Sequence, residues 1–294
     1  MDEQEWLAER FEDHRGRLRA VAYRMLGSAS EAEDAVQEAW LRLSRTDSDS
    51  VENLPAWLTT VVARVCLNML RSRETRREVP LEQHVDEPAT HDRGGKDPEQ
   101  EALLADSVGL ALLVVLDTLN PAERLAFVLH DMFGVPFDEI APIVDRSPAA
   151  ARQLASRARR RVRGSTPVSS SDITRQRRVV DAYLTAIRGG DFEALVRLLD
   201  PDVVLRADAA ALPTGARAVV RGAEAVASGA LVSTARARFT QPALVNGAVG
   251  LVMAPRGQLF LVLGFTIEDD RITDIDVIAD PARLRDLDLA VLEG

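Results

Sequence analysis

Residues Ser147 to Arg163 read SPAAARQLASRARRRVR, with six arginines and no acidic residue, in a chain of formal net charge -10. Ala151, Leu154, Ala158 and Val162 recur at three- and four-residue steps, so a helix with one narrow apolar face is the regular structure that gathers them. Ser147 fits the N-cap and Pro148 the first helical position. The arginines then fall outside the apolar face. An acidic chain that concentrates positive charge on one helix marks a place where a polyanion docks.

The residues before this helix sharpen the reading. Asn120-Pro121-Ala-Glu123 predicts another helix start, with Leu125, Phe127, Val128 and Leu129 on its apolar side. Gly134 and Pro136 break it, and a short helix is expected from Phe137 to Val144, which Pro142 should kink or shorten. An Asp145-Arg146 turn then leads into the arginine helix. This is the grammar of a helix-turn-helix, whose second helix reads DNA. Arg152, Gln153 and Ser156 point outward near its N-terminal end, where base edges are read. Arg157, Arg159, Arg160 and Arg163 flank them and suit phosphates. A bidentate contact discriminates bases by roughly 1–3 kcal/mol, whereas phosphate contacts add affinity without sequence choice.

Upstream, a capping box is expected at Ser30-Glu-Ala-Glu33, opening a helix that buries Ala35, Val36, Ala39, Trp40 and Leu43. Asp34, Gln37, Glu38 and Leu41 occupy another face, either a protein-docking surface or a solvated one. The next helix starts at Pro55 and packs Trp57, Leu58, Val61, Val62, Val65 and Met69 inward. Arg64, Asn68 and Arg71 form a polar stripe that continues into Arg73, Arg76 and Arg77. Two readings stay open there: a track along a DNA backbone, or cations placed favourably at a helix end.

With 294 residues the chain is expected to hold two or three domains. Helical patterns fill residues 1–77 and 99–163. A linker without apolar periodicity, read as mobile, occupies 78–98, and a small polar one occupies 164–172. Cys66 is the single cysteine, which excludes an intramolecular disulfide and a cysteine-based metal site. The acidic N-terminus lacks a signal-peptide core, and no run of about 18 apolar residues occurs. A cytoplasmic protein without membrane contact, metal or cofactor is expected.

From 173 to 294 the pattern changes. Val179, Val180, Tyr183, Leu184 and Ile187 mark an amphipathic helix ended by Gly189-Gly190, and Phe192, Leu195, Val196 and Leu199 a second. Strands are expected at Val203–Ala207, Arg236–Val245, Ala248–Met253, Leu259–Ile267 and Ile272–Ile278, with Asn246-Gly247 as a hairpin turn. Helices feeding a curved antiparallel sheet predict an α+β cone. All four histidines (His14, His84, His91, His130) lie outside it, leaving Asp208 as its best candidate cavity acid. General acid–base chemistry is therefore poorly supplied, and a regulatory or ligand-sensing domain is expected.

Taken together, these residues resemble bacterial sigma factors of the extracytoplasmic-function class. AEDAVQEAWLRL (Ala32 to Leu43) resembles the helix that grips the polymerase clamp. LPAWLTTVVARVCLNMLRSRETRR (Leu54 to Arg77) resembles the helix that melts and reads the minus-ten element. Leu119 to Arg163 resembles the domain that reads the minus-thirty-five element. The wording Ala-Ala-Ala-Arg-Gln-Leu-Ala-Ser-Arg-Ala-Arg is similar to the SigJ-type subgroup, which carries a SnoaL-like extension.

The resemblance implies a multidomain chain: sigma domain 2 (1–77), sigma domain 4 (99–163) and a SnoaL-like, nuclear-transport-factor-like cone (173–294). It implies core RNA polymerase and promoter DNA as partners, with a small-molecule or protein signal at the cone. Core binding falls to Asp34, Gln37, Glu38 and Leu41. DNA binding falls to Arg64, Asn68, Arg71, Arg76, Arg77, Arg152, Gln153, Ser156, Arg157 and Arg160, with flipped-base capture near Ser44 to Asn53.

Departures are visible. The interdomain Trp-Leu-Pro motif is absent, the region reading REVPLEQHVDEP. The extension's Asp-Gly-Gly-Gly-Arg motif reads Asp208-Ala209-Ala210-Ala211, and its Asn-Pro-Asp-Lys-Leu motif reads Asp280-Pro281-Ala282-Arg283-Leu284. Asp208, Asp280, Pro281 and Leu284 are therefore the expected regulatory contacts. Two rivals remain at this stage: a ligand-responsive helix-turn-helix regulator acting without polymerase, and a fused SnoaL-like enzyme.

Overall fold

Helices α1 (Glu3–Leu26), α2 (Ala29–Leu43) and α3 (Leu54–Glu78) pack against one another at the start of the chain. In this computed structural model the described residues are 3–46, 53–78, 109–164, 170–212, 214–255 and 258–292. Ala35, Val36, Ala39 and Leu43 of α2 face the core as expected, joined by Ala32, and the ring of Trp40 lies 5.2 Å from that of Phe11. The capping box does not form at Ser30. Ser28 is the N-cap and accepts from the Glu31 N–H, because Ser-x-x-Glu occurs in two overlapping frames. Glu33 instead pairs with Arg15 and Arg19 of α1. Asn53 caps α3 by accepting from the Ala56 N–H at 3.2 Å, which puts Pro55 one residue inside the helix.

Residues 119–159 fold with these helices as one unit, and 109–118 with 160–292 form a second. In the first unit, α5 (Pro121–Phe127) continues into a π-helical turn (Val128–Met132), followed by α6 (Phe137–Ile140) and α7 (Pro148–Arg163). Asn120 caps α5 as the sequence predicts, accepting from the Glu123 N–H at 2.9 Å. Helix α6 ends at Ile140 rather than Val144, in line with the Pro142 expectation. Arg124 is the largest fully buried side chain of the unit, 2% exposed, and its Nε donates to the Arg24 carbonyl at 3.2 Å. A guanidinium tolerates such burial only when its donors are paired.

Helix α4 (Leu110–Asp117) packs on the sheet of the second unit, although the sequence grouped it with residues 99–163. The cause is its composition: LALLVVLD buries six of eight residues and needs apolar cover on more than one side. It lies against strands β3 (Thr240–Val245) and β7 (Leu289–Ala290).

The second unit is an α+β cone. Helices α8 (Ser170–Gly189) and α9 (Phe192–Leu198) lead into β1 (Leu199–Ala207), and β2 (Ala218–Arg221) and α10 (Ala223–Leu231) follow. A 3₁₀ segment (Thr234–Phe239) precedes β3, then β4 (Ala248–Met253), β5 (Leu261–Glu268), β6 (Arg271–Ile278), α11 (Pro281–Arg285) and β7. The sheet order is β2-β1-β6-β5-β4-β3-β7.

Two details depart from the expected curved antiparallel sheet. Residues 236–239 are 3₁₀ rather than strand. Strands β1 and β6 pair in parallel, Leu205 opposite Ile275, since no hairpin joins them and their direction is free. Asn246 and Gly247 make the predicted tight turn, both with positive φ (50° and 83°). At Gly164 (φ +83°) an added Cβ would sit 2.9 Å from the Ala290 Cβ, so only glycine lets the chain pass β7 there.

Candidate functional site

On α7, Ala151, Ala155 and Ala158 are buried while Arg152, Gln153, Ser156 and Arg157 are exposed. Ser147 accepts from the Ala150 N–H at 3.2 Å, fixing the helix start. The start of α6 is held by a stack: the His130 ring lies 3.9 Å from that of Phe137, and His130 Nδ1 is 3.0 Å from the Val135 carbonyl. The Arg152 guanidinium rests 5.4 Å from the Phe137 ring centre, which orients it at the helix N-terminal end. Further along, Arg157 approaches Glu123 at 3.5 Å and Arg159 approaches Asp131 at 2.5 Å. Arg160 is exposed. The N-terminal half of α7 thus offers side chains suited to base edges, and part of its arginine set is tied to the module's own carboxylates.

On α3, Arg64, Asn68 and Arg71 are exposed on one stripe. Arg64 also donates to the Pro142 carbonyl at 3.4 Å, within the same unit. Arg73 leaves the expected stripe: it donates to the Leu26 carbonyl at 3.2 Å and forms an ion pair with Glu31, closing α3 onto the α1–α2 junction. The side chains of Arg76 and Arg77, the segment 47–52 of the base-capture loop and the linker beyond residue 78 lie outside the described residues. On α2, Asp34, Gln37 and Leu41 are exposed; Glu38 accepts from Arg42 at 2.9 Å. Cys66 is fully buried, and burial pushes its thiol up to about 12.

In the cone, Asp208 is buried but is not a cavity acid. Its Oδ2 accepts from the Ala279 and Asp280 N–H groups at 2.9 and 2.8 Å, and its Oδ1 accepts from the Ala211 N–H at 3.0 Å. Arg283 stands 3.6 Å away. Burial alone would push the carboxyl up; the three N–H donors and Arg283 outweigh it and hold it below the usual carboxylate range. An ionised carboxylate with these donors already around it is unsuited to proton transfer. Its role is a clip that joins Asp208-Ala-Ala-Ala211 to Asp280-Pro-Ala-Arg-Leu284, two motifs 72 residues apart. Asp280 in turn caps α11, accepting from the Ala282 and Arg283 N–H groups.

Beside this clip the cone encloses a cavity of about 220 Å³. Its walls come from α8, α10, the 3₁₀ segment and the inner face of the sheet, and among the described residues Arg236 is the one charged side chain lining it. Sequence reasoning missed it, since Tyr183 and Leu184 read as ordinary core on a helical stripe.

Two family models match the chain: Sigma-70 region 2 over residues 10–76 and Sigma-70 region 4 over residues 109–162. These define an RNA polymerase sigma factor. The chain is 39% identical to the ECF RNA polymerase sigma factor SigJ of Mycobacterium tuberculosis, covering 92% of this chain and 91% of the relative. It is 35% identical to a probable ECF sigma factor SigI of the same species, with 92% of each covered. A crystal structure of M. tuberculosis SigJ matches at 34% identity and TM-score 0.45, covering 94% and 97% of the two chains. The chain belongs to the extracytoplasmic-function sigma factors, and within them to the SigJ type. The rival reading as a regulator acting without polymerase is thereby replaced. Among the described residues no helix is long and apolar enough to cross a membrane.

Proposed function

We propose a division of labour within this sigma factor. The Asp34, Gln37, Glu38 and Leu41 face of α2 binds core RNA polymerase, and the Arg64, Asn68 and Arg71 stripe, continued by Arg76 and Arg77, contacts the minus-ten element. Arg152, Gln153 and Ser156 read base edges of the minus-thirty-five element, while Arg157 and Arg160 contact its phosphates. The observation that carries this reading is the two-faced α7, alanines buried and polar side chains outward on a helix capped at its start.

The cone modulates the two DNA-reading modules and senses a small-molecule signal. Its clip, made by Asp208 and reaching Asp280, Pro281 and Leu284, is the element through which that signal acts. The cone carries out no reaction, which the occupied carboxylate of Asp208 supports.

Reconstituted transcription with core polymerase tests the proposal on the full chain. Glu38→Lys with Leu41→Asp is expected to weaken core binding at least tenfold while leaving the fold intact, since both side chains lie at the surface, 45% and 41% exposed. Core affinity within twofold of wild type would remove this docking face from the account.

A further inference from the structure

We propose that the cone cavity binds an apolar monocarboxylate, of the size of a medium-chain fatty acid or a two-ring aromatic acid. The carboxylate is held at Arg236, and Tyr183 donates a hydrogen bond to the ligand. This rests on the reading of the cone as the sensing module and names the chemistry that it takes.

Size comes first. A dry cavity of roughly 150 Å³ accommodates benzene, so about 220 Å³ leaves room for a second ring or a folded chain. The walls are almost wholly aliphatic, with Leu205, Met253 and Leu263 contributed by the sheet. Such a lining favours an apolar body over a sugar, a nucleotide or a polyamine.

Charge comes next. Among the described residues no aspartate, glutamate, histidine or lysine lines the cavity, and Arg236 does. A cationic ligand would find no counter-charge, whereas a carboxylate finds a guanidinium whose planar donors match its two oxygens. Arg236 is exposed, so it stands where the cavity meets solvent and a ligand's charged end can remain partly hydrated.

The third observation is Tyr183. It lines the cavity and is 1% exposed. Its ring is fixed edge-on against Phe265 at 5.2 Å, so the hydroxyl is not free to swing elsewhere. Burial pushes the phenol up, which keeps it a donor at any physiological pH. A phenol lining an otherwise apolar cavity offers a donor that a ligand oxygen can meet.

Calorimetric titration and thermal shift of the full-length protein test this, using decanoate and 2-naphthoate as probes and decanol and 2-naphthalenemethanol as neutral counterparts. At least one carboxylate is expected to bind one-to-one and raise the melting temperature, with its alcohol at least tenfold weaker. Arg236→Gln should cost tenfold or more in carboxylate affinity. Tyr183→Phe should weaken binding several-fold while leaving the unliganded melting temperature unchanged or higher, a combination that a purely structural tyrosine would not give. Absence of binding by both carboxylates, or equal affinity in Arg236→Gln and wild type, would overturn the proposal. A carboxylate that binds yet leaves promoter-dependent initiation unaltered would refute the sensing role and leave the site standing; absent binding would leave the promoter-reading assignment untouched.

Discussion

Replacing Asp208 by alanine removes the clip between the end of β1 and the β6–α11 corner, and the structure sets the size of the effect. The Ala211 N–H keeps an alternative acceptor, the Asp208 carbonyl at 3.2 Å. The loss therefore falls on the Ala279 and Asp280 N–H groups, of which Ala279 is buried at 8% exposure. A hydrogen bond to a charged group contributes about 1.5–3 kcal/mol, and water can reach the half-buried Asp280, so about 3 kcal/mol is expected. For a unit of this size that corresponds to a melting shift of roughly 10 °C.

The sign of the pH dependence follows from the depressed carboxyl. A group held below its unfolded value contributes stability that is present above that value and lost as pH falls through the folded one. The gap between wild type and Asp208→Ala should therefore be full at neutral pH and close as pH falls from about 5 towards 2. Calorimetry and hydrogen exchange over residues 205–212 and 277–285 measure it. The tryptophans, Trp6, Trp40 and Trp57, all lie in the N-terminal block, so their fluorescence serves as a control on the other unit. A shift under roughly 2 °C, or a gap unchanged down to pH 2, would refute the clip.

Other outcomes follow from packing. Cys66, buried and with its thiol pushed up to about 12, should resist thiol reagents at pH 8 in the folded protein and react fully in denaturant; fast labelling of the native chain would contradict its placement. Gly250→Ala should destabilise the cone by about 2 kcal/mol or more. An added Cβ would lie 2.6 Å from the Leu263 carbonyl oxygen and 2.7 Å from Val245 Cγ2, and chemical denaturation reads the loss. Arg124→Ala should cost the N-terminal unit about 2–4 kcal/mol by emptying a 2% exposed site and removing the donor to the Arg24 carbonyl, with Arg124→Met milder because it refills the volume; equal losses would deny the guanidinium its role.

The elements legible in sequence were those with a strong local signal. The α7 helix was readable because proline, serine and an alternating alanine–arginine pattern agree, and the β3–β4 hairpin because Asn-Gly allows one tight turn. The α2 cap was displaced because Ser28 and Ser30 both begin a Ser-x-x-Glu frame, and the choice is made by Arg15, Arg19 and Arg73 from other helices. Strand β2 and helix α10 escaped notice: β2 has four residues with Val219 59% exposed, and α10 is an alanine–glycine helix with little apolar contrast. The placement of α4 and the joining of Asp208 to Asp280 depend on long-range packing that no local pattern encodes. The same holds for the cavity, whose lining residues are ordinary hydrophobes until the sheet curves around them.

The most direct test is selection of initiating sequences from a randomised promoter library by core polymerase carrying the full chain. Initiation should depend on the chain and return two spaced motifs, and Arg152→Ala should blur the upstream motif alone while Asn68→Ala with Arg71→Ala blurs the downstream one. A library from which the wild-type chain initiates nowhere, or in which both sets of variants degrade the same motif, would contradict the assignment of one DNA element to each helical surface.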